Sequence, residues 1–255
     1  MQRTLSISDG VAARRFLATC ATPAAIVAVL LSSLAAVAAE SPATAPAGFV
    51  EKIVPFFDDA PKDAALFEFR NNLLKAVQAK DLSTLLAALD PAILNGYDGE
   101  EGIESFKKKW NLNENPDASP VWKELGEALR LGGKLNKGDN ETYFIAPYSY
   151  YALPDEFDET EYGLVVGDGV NVRANPDENA AAIAKVGRIV VRLHHEEKPK
   201  EATIGNESFP WRKVGLPDGR VGYIWGKYVR SPIDYRAGFS NQSGKWKMNY
   251  FLAGD

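Results

Sequence analysis

The sequence predicts an α+β protein: an N-terminal domain of about four helices plus strands, a small all-β barrel, and a C-terminal β-hairpin. Three observations predict it. Apolar residues recur at helical spacing between 63 and 130. Short runs of period-two alternation, separated by Gly, Pro and Asn turns, fill 162–230. Two further alternating runs flank Asn241 to Gly244 near the end of the chain. With 255 residues, 45% hydrophobic and 11% aromatic, the chain can bury a core for one or two domains.

Residues 1–39 read as a secretory signal peptide. Arg14-Arg15 precede an Ala-, Val- and Leu-rich run that ends in Ala36-Val-Ala-Ala39. A transmembrane anchor is the competing reading, but Pro23 and the many small residues leave the run weakly apolar. Residues 40–48, rich in Ala and Pro, form a flexible spacer. The expected product is exported and periplasmic (secreted as second choice), without a membrane span after cleavage. The only cysteine, Cys20, lies in the segment expected to be removed, so the mature chain has no thiol chemistry and no disulfide. The net charge is −5, and residues 1–39 hold three arginines and one aspartate, so the remainder is more acidic still. That excludes nucleic acid as a main partner, since phosphate binding needs clustered cations.

The N-terminal domain spans 49–160. Leu66, Phe69, Leu73, Leu74 and Val77 mark one face of a helix over 63–79, with Pro61 and Asp63 suited to its start. Asp81 suits the N-cap of a second helix carrying Leu82, Leu85, Leu86 and Leu89, stopped by Asp90-Pro91. Residues 92–94 form a short strand. Ile103, Phe106 and Trp110 stripe a third helix over 100–110. Ser119-Pro120 opens a fourth, with Trp122, Leu125 and Leu129 inward, ended by Gly132-Gly133. Tyr143-Phe-Ile145 is a strand, and the aromatic stretch from Ala146 to Pro154 carries two prolines.

In the barrel, over 161–232, Val170 and Val172 alternate with Asn171 and Arg173 until Asn175-Pro176 ends the strand. Residues 183–186 and 189–193 are further strands. Residues 194–206 exceed what a minimal barrel needs, and Glu196-Glu-Lys-Pro-Lys-Glu201 reads as a solvated inserted loop. Trp211 and Val214 begin the next strand, Pro217-Asp218-Gly219 is a tight turn, and Val221, Tyr223 and Trp225 alternate on the return. Residues 233–255 form the closing hairpin, which either completes the N-terminal domain's sheet or extends the barrel.

Val170-Asn-Val-Arg-Ala174 with Pro176, Trp211-Arg-Lys-Val214, the Asp218-Gly219 turn, Gly222-Tyr-Ile224 and Tyr228-Val229 together resemble a bacterial SH3-type domain over roughly 70 residues. The resemblance implies a non-catalytic module that docks peptides or cell-wall material. The stretch from Phe69-Arg70 through Lys80-Asp-Leu82 to Pro91-Ala92-Ile93 is similar to the opening of the cone-shaped nuclear-transport-factor-two-like fold, which implies a C-terminal hairpin in the N-terminal sheet.

Catalytic signatures are missing from the sequence: it has no Gly-x-Ser-x-Gly elbow, and His194-His195 point to opposite faces of a strand. No catalytic residues, cofactor or metal are expected. Trp225, Tyr228, Tyr223 and Trp211 are the candidate ligand-binding aromatics, with Trp211 and Tyr223 also suited to the barrel core and Trp225 and Tyr228 to the surface. Tyr148 and Tyr151 either line a groove or pack the two domains together. The reading is a non-enzymatic exported binding or scaffolding protein for a peptide, protein or peptidoglycan ligand. Two alternatives stand beside it. One is a small-molecule pocket, enzymatic or not, lined by Phe69, Leu73, Trp110 and Trp122. The other is a purely structural barrel docked on its own N-terminal domain or on a second copy.

Overall fold

Helices and strands form where side chains find a face to bury and termini find caps, and the computed structural model describes residues 48–138 and 141–254. The expected signal peptide, Cys20 and nearly all of the spacer lie outside the described residues. In chain order the elements are α1 (Ala64–Ala79), α2 (Leu82–Ala88), β1 (Leu89–Leu94), α3 (Ile103–Lys109), α4 (Val121–Arg130), β2 (Lys134–Lys137), β3 (Thr142–Ala146) and α5 (Ser149–Ala152). There follow β4 (Tyr162–Val165), β5 (Val170–Arg173), β6 (Ala182–Val186), β7 (Val190–His194), β8 (Glu201–Ile204), β9 (Glu207–Gly215), β10 (Val221–Trp225), β11 (Val229–Arg230), β12 (Arg236–Gln242) and β13 (Lys245–Leu252). The class is mixed α+β, built around two large sheets.

Local chemistry explains the helix starts. The Asp63 carboxylate accepts the Leu66 amide at the head of α1, and that of Asp81 accepts the Thr84 amide and hydroxyl at the head of α2. The second helix stops at Ala88, earlier than Asp90-Pro91 alone implies, because β1 already begins at Leu89. Pro91 is tolerated inside β1 because β1 is an edge strand. The third helix also starts later than expected, at Ile103. The residues before it turn back on β1: the Asn95 amide donates to Glu100 O, and the Gly102 amide to Ile93 O.

The first sheet runs β1-β13-β12-β3-β2. The C-terminal hairpin therefore supplies its centre: β12 pairs with β3 and β13, and β13 pairs in parallel with β1. The core between this sheet and the helices joins Leu66, Leu73, Leu85, Phe106, Leu125 and Phe144 to Phe239, Trp246, Met248 and Phe251 of the hairpin. Trp110 stacks on Phe251 with ring centroids 5.2 Å apart, and Phe69 meets Phe239 edge-on at 5.9 Å. The outer strand β2 was not expected. It is short and has a lysine at each end, which suits an exposed edge.

The second sheet runs β11-β4-β7-β9-β10-β5-β6, with β8 pairing to β9 outside that path. Its interior is small and β-branched: Val165, Val170, Val172, Val191, Val214 and Ile224. The presumed loop before Trp211 contains β8, which pairs with the first half of β9 from Glu201↔Pro210 to Ile204↔Glu207. Gly205-Asn206 is the two-residue turn, with Gly205 at φ 66°.

Residues 49–54 were expected to belong to the N-terminal half, but their backbone joins the second sheet. Phe49 N donates to Pro217 O, Val54 N to Arg188 O, and Val190 N to Lys52 O. The strap then crosses to the first half, where Asp58 receives two bonds from the nearly buried Arg70 guanidinium, at 2.6 and 2.7 Å. A third apolar cluster lies along it: Val54, Leu131, Tyr148, Leu164, Val166 and Val190.

The pairing of the hairpin yields a prediction. Phe239→Ala and Phe251→Ala should each cost about 3–5 kcal/mol in chemical denaturation, the usual range for a fully buried Phe. A chain ending at residue 232 should lose cooperative unfolding of the first half. An unchanged denaturation midpoint in that truncation would show the hairpin to be dispensable.

Candidate functional site

Strand β10 presents Gly222 and Ile224 to the interior of the second sheet, so Tyr223 and Trp225 must point outward. An outward tryptophan in water is a poor use of a large apolar surface, and the β8–β9 hairpin folds over it. Phe209, Trp211 and Trp225 form a separate buried cluster, with Ala202, Ile204 and Tyr223 packed against it. Phe209 meets Trp225 edge-on at 5.2 Å, and Trp225 meets Tyr228 at 6.0 Å. This corrects two sequence expectations. Trp211 and Tyr223 do not fill the core of the second sheet, and Trp225 is not a surface residue. The signal for the covering strand was present in Ala202 and Ile204, which alternate with Glu201 and Thr203 before a Gly-Asn turn.

Beside this cluster lies a cleft of about 380 Å³. Trp211, Trp225 and Ile204 line its hairpin side, Val170 and Asn171 its β5 side, and Tyr228 one end. Asp168, Arg173, Glu178 and Asn179 supply its polar lining. Tyr228 is 38% exposed, whereas Trp211 and Trp225 are 2% and 6% exposed. The cleft thus has an apolar aromatic floor and a polar rim, the arrangement that grips a flat polar chain.

The two indoles differ in one respect. Trp225 Nε1 donates to Ala202 O at 3.1 Å, which ties the hairpin to β10. Trp211 Nε1 is buried without a hydrogen-bond partner. The indoles of Trp110 and Trp246, in the core of the first half, are likewise without a partner, and a buried donor left unpaired costs on the order of 1–3 kcal/mol. On the rim, Asp168 is ion-paired to Arg188, and the Arg173 guanidinium donates to Ala180 O at 2.6 Å. Glu178 carries an exposed carboxylate.

Of the six aromatics predicted for binding, Trp211, Trp225 and Tyr228 converge on the cleft. Tyr223 packs on the same cluster but does not line the cleft. The other two lie elsewhere. Tyr148 is fully buried in the cluster along the strap, edge-on to Phe56 at 5.2 Å and Phe57 at 5.5 Å, and burial pushes its phenol above the ordinary range. It packs the two halves together and is closed to a ligand. Tyr151 accepts from Asn136 Nδ2 at 3.2 Å beneath Lys134, beside the first sheet. Asp168, Arg173 and Glu178 were not singled out from sequence, since isolated polar residues beside turns carry no local pattern.

Phe69, Leu73, Trp110 and Trp122, the residues proposed for a pocket in the N-terminal half, all belong to its apolar core. Among the described residues, no group of three or more His, Cys, Asp or Glu side chains is placed to hold a metal ion, and no helix is long and apolar enough to cross a membrane.

Two predictions follow from the site. Trp211→Phe removes an unpaired donor and should leave stability unchanged or raise it by up to about 1 kcal/mol, whereas Trp225→Phe breaks a formed bond and should cost about 1 kcal/mol. Denaturation midpoints in the opposite order would refute the assignment of the two indoles. The second concerns pH. Burial, reinforced by Lys213 and Arg192, holds the His194 imidazole below its ordinary 6.5. The unfolded chain therefore gains a proton first as pH falls below 6.5, so this stability is fully present above that value and lost on acidification. His194→Gln should flatten the loss of urea midpoint between roughly pH 7 and roughly pH 5, and an unchanged slope would count against it.

Comparison with protein-family models, with curated proteins and with solved structures returned no match, so the chemistry of the cleft is read from its own residues.

Proposed function

We propose that this chain is an exported, non-catalytic binding protein whose second sheet is an SH3-like barrel, inserted before the closing hairpin of an α+β domain. Its ligand is a short peptide segment, free or in the stem peptides of the cell wall, held in the Trp211–Trp225–Tyr228 cleft. The observation that carries this reading is the convergence of Trp211, Trp225 and Tyr228 with Arg173 and Glu178 on one cleft of about 380 Å³, with the Trp211 indole N–H left without a protein acceptor. A peptide carbonyl or carboxylate oxygen satisfies it. The faces of Trp225 and Tyr228 cover the apolar part of such a chain, Glu178 suits an ammonium group, and Arg173 suits a carboxylate. Peptides combine those groups within a few ångströms, and simple hydrocarbons or sugars do not.

A structural role for the barrel is the second reading. It is favoured by Lys123 of α4, whose ammonium lies 4.3 Å over the Phe209 ring and holds the hairpin against the first half. That contact is made to Phe209, which does not line the cleft, so internal docking and ligand binding are compatible.

The test is co-sedimentation of residues 40–255 with isolated cell-wall sacculi, alongside Tyr228→Ala and Trp211→Phe variants. Both variants keep the apolar floor largely intact and should fold. The parent should pellet, and each variant should bind about tenfold more weakly, corresponding to about 1.4 kcal/mol for a lost hydrogen bond or aromatic contact. Pelleting that neither substitution weakens would place the contact outside the cleft. No pelleting at all would remove the wall as ligand, and the same variants would then be tested against soluble peptides.

A further inference from the structure

A second cleft, of about 500 Å³, lies where α1, α4 and the tip of the β8–β9 hairpin meet. Its floor is apolar. Leu74 and Val77 come from α1, Trp122 from α4 and Phe209 from β9. Gly126 lines the groove between the helices, where a methyl group would stand in ordinary contact, 3.4 Å from Val77 Cγ1. Unlike the first cleft, this one has no unsatisfied indole, because Trp122 Nε1 already donates to Pro116 O at 2.5 Å.

The charges around it are mostly spent on each other. Glu127, 8% exposed, is paired with Arg130 at 2.5 Å, and Glu207 is paired with Lys227. The remaining lining charge is the Lys123 ammonium, which has no ion-pair partner among the described residues and rests over the Phe209 ring. An occupant must therefore bring an apolar body for the floor and one negative group for Lys123.

We propose that this cleft binds a small amphiphilic carboxylate, an acyl or aryl acid, with its hydrocarbon on Leu74, Val77 and Trp122 and its carboxylate at Lys123. A cavity of this size suits such a ligand. The site is separate from the peptide cleft and does not depend on that reading, since the two share only the hairpin between them.

The experiment uses the ¹⁵N-labelled chain from residue 40 and two probes with the same tail and opposite heads, octanoate and octyltrimethylammonium, titrated into the millimolar range. Octanoate should shift the amide signals of Gly126 and Ser208 and the Trp122 indole signal, and the cationic probe should not. Lys123→Gln, at an exposed position, should weaken octanoate about fivefold, as expected for one partly solvated charge contact. The proposal is overturned if neither probe shifts these signals, if both shift them equally, or if Lys123→Gln leaves the affinity unchanged. It is also overturned if octanoate moves only the Trp211 indole and Tyr228 signals, which report on the other cleft.

Discussion

The pairing of β12 between β3 and β13 is the constraint on which the rest of the chain depends. Without the last twenty residues, β1 and the β2–β3 pair have no common partner, and the helices lose Phe239, Trp246, Met248 and Phe251 from the layer they pack on. Every strand of the second sheet lies in sequence between those two halves of the first. The second sheet is thus tethered at both ends. At one end Tyr148 and the strap fix its approach, and at the other a short turn links β11 to β12. In that turn the buried Arg230 donates to Tyr235 O at 3.0 Å, and Asp234 accepts the Ser231 amide at 2.9 Å. A polar turn so fully bonded sets the angle at which the chain re-enters the first sheet. Such non-local closure makes folding slow relative to a chain of similar size with sequential contacts.

The second sheet has an interior of small β-branched residues and leaves its tryptophans outside. That distribution is what creates the cleft. An interior filled by Val, Leu and Ile has no room for an indole, so Trp211 and Trp225 are displaced onto an outer face. The chain covers that face only partly, with a two-stranded hairpin. Partial cover leaves aromatic surface next to polar turns, and that is the chemical character of the cleft.

Much of this was legible in the sequence, and the reasons for the rest are specific. The helix N-caps Asp63 and Asp81 and the 3.6-residue stripes placed α1, α2 and α4 closely, because capping and amphipathicity are local. The Asn241 to Gly244 turn marked the last hairpin, and its partner strands were only one of two options, since pairing across some ninety residues leaves no local trace. Residues 49–57 read as an unremarkable start to the first half. Their role is to cross between the two halves, and no periodicity encodes a crossing. The aromatic residues of the cleft were visible as types, yet their faces were misassigned for Trp211, Tyr223 and Trp225. The error has one cause. Counting alternation from Trp225 gives two equivalent faces, and the choice between them is made by Ile224 filling the interior and by β8 covering the other side.

The β8–β9 hairpin therefore sets the geometry of both clefts, and it cannot hold its own position. An isolated two-stranded hairpin is marginal in water. Here it is pinned to β10 by Trp225 Nε1 on Ala202 O and by Phe209 against the Trp225 ring. Lys227 on Glu207 and Lys123 of α4 over Phe209 hold it further. The last of these contacts comes from the first half of the molecule. The shape of the Trp211–Trp225–Tyr228 cleft thus depends on a helix that contributes no residue to it, and Phe209 is the side chain through which that dependence runs. A ligand proposed for either cleft would touch the hairpin, so the stability of the hairpin would enter both affinities.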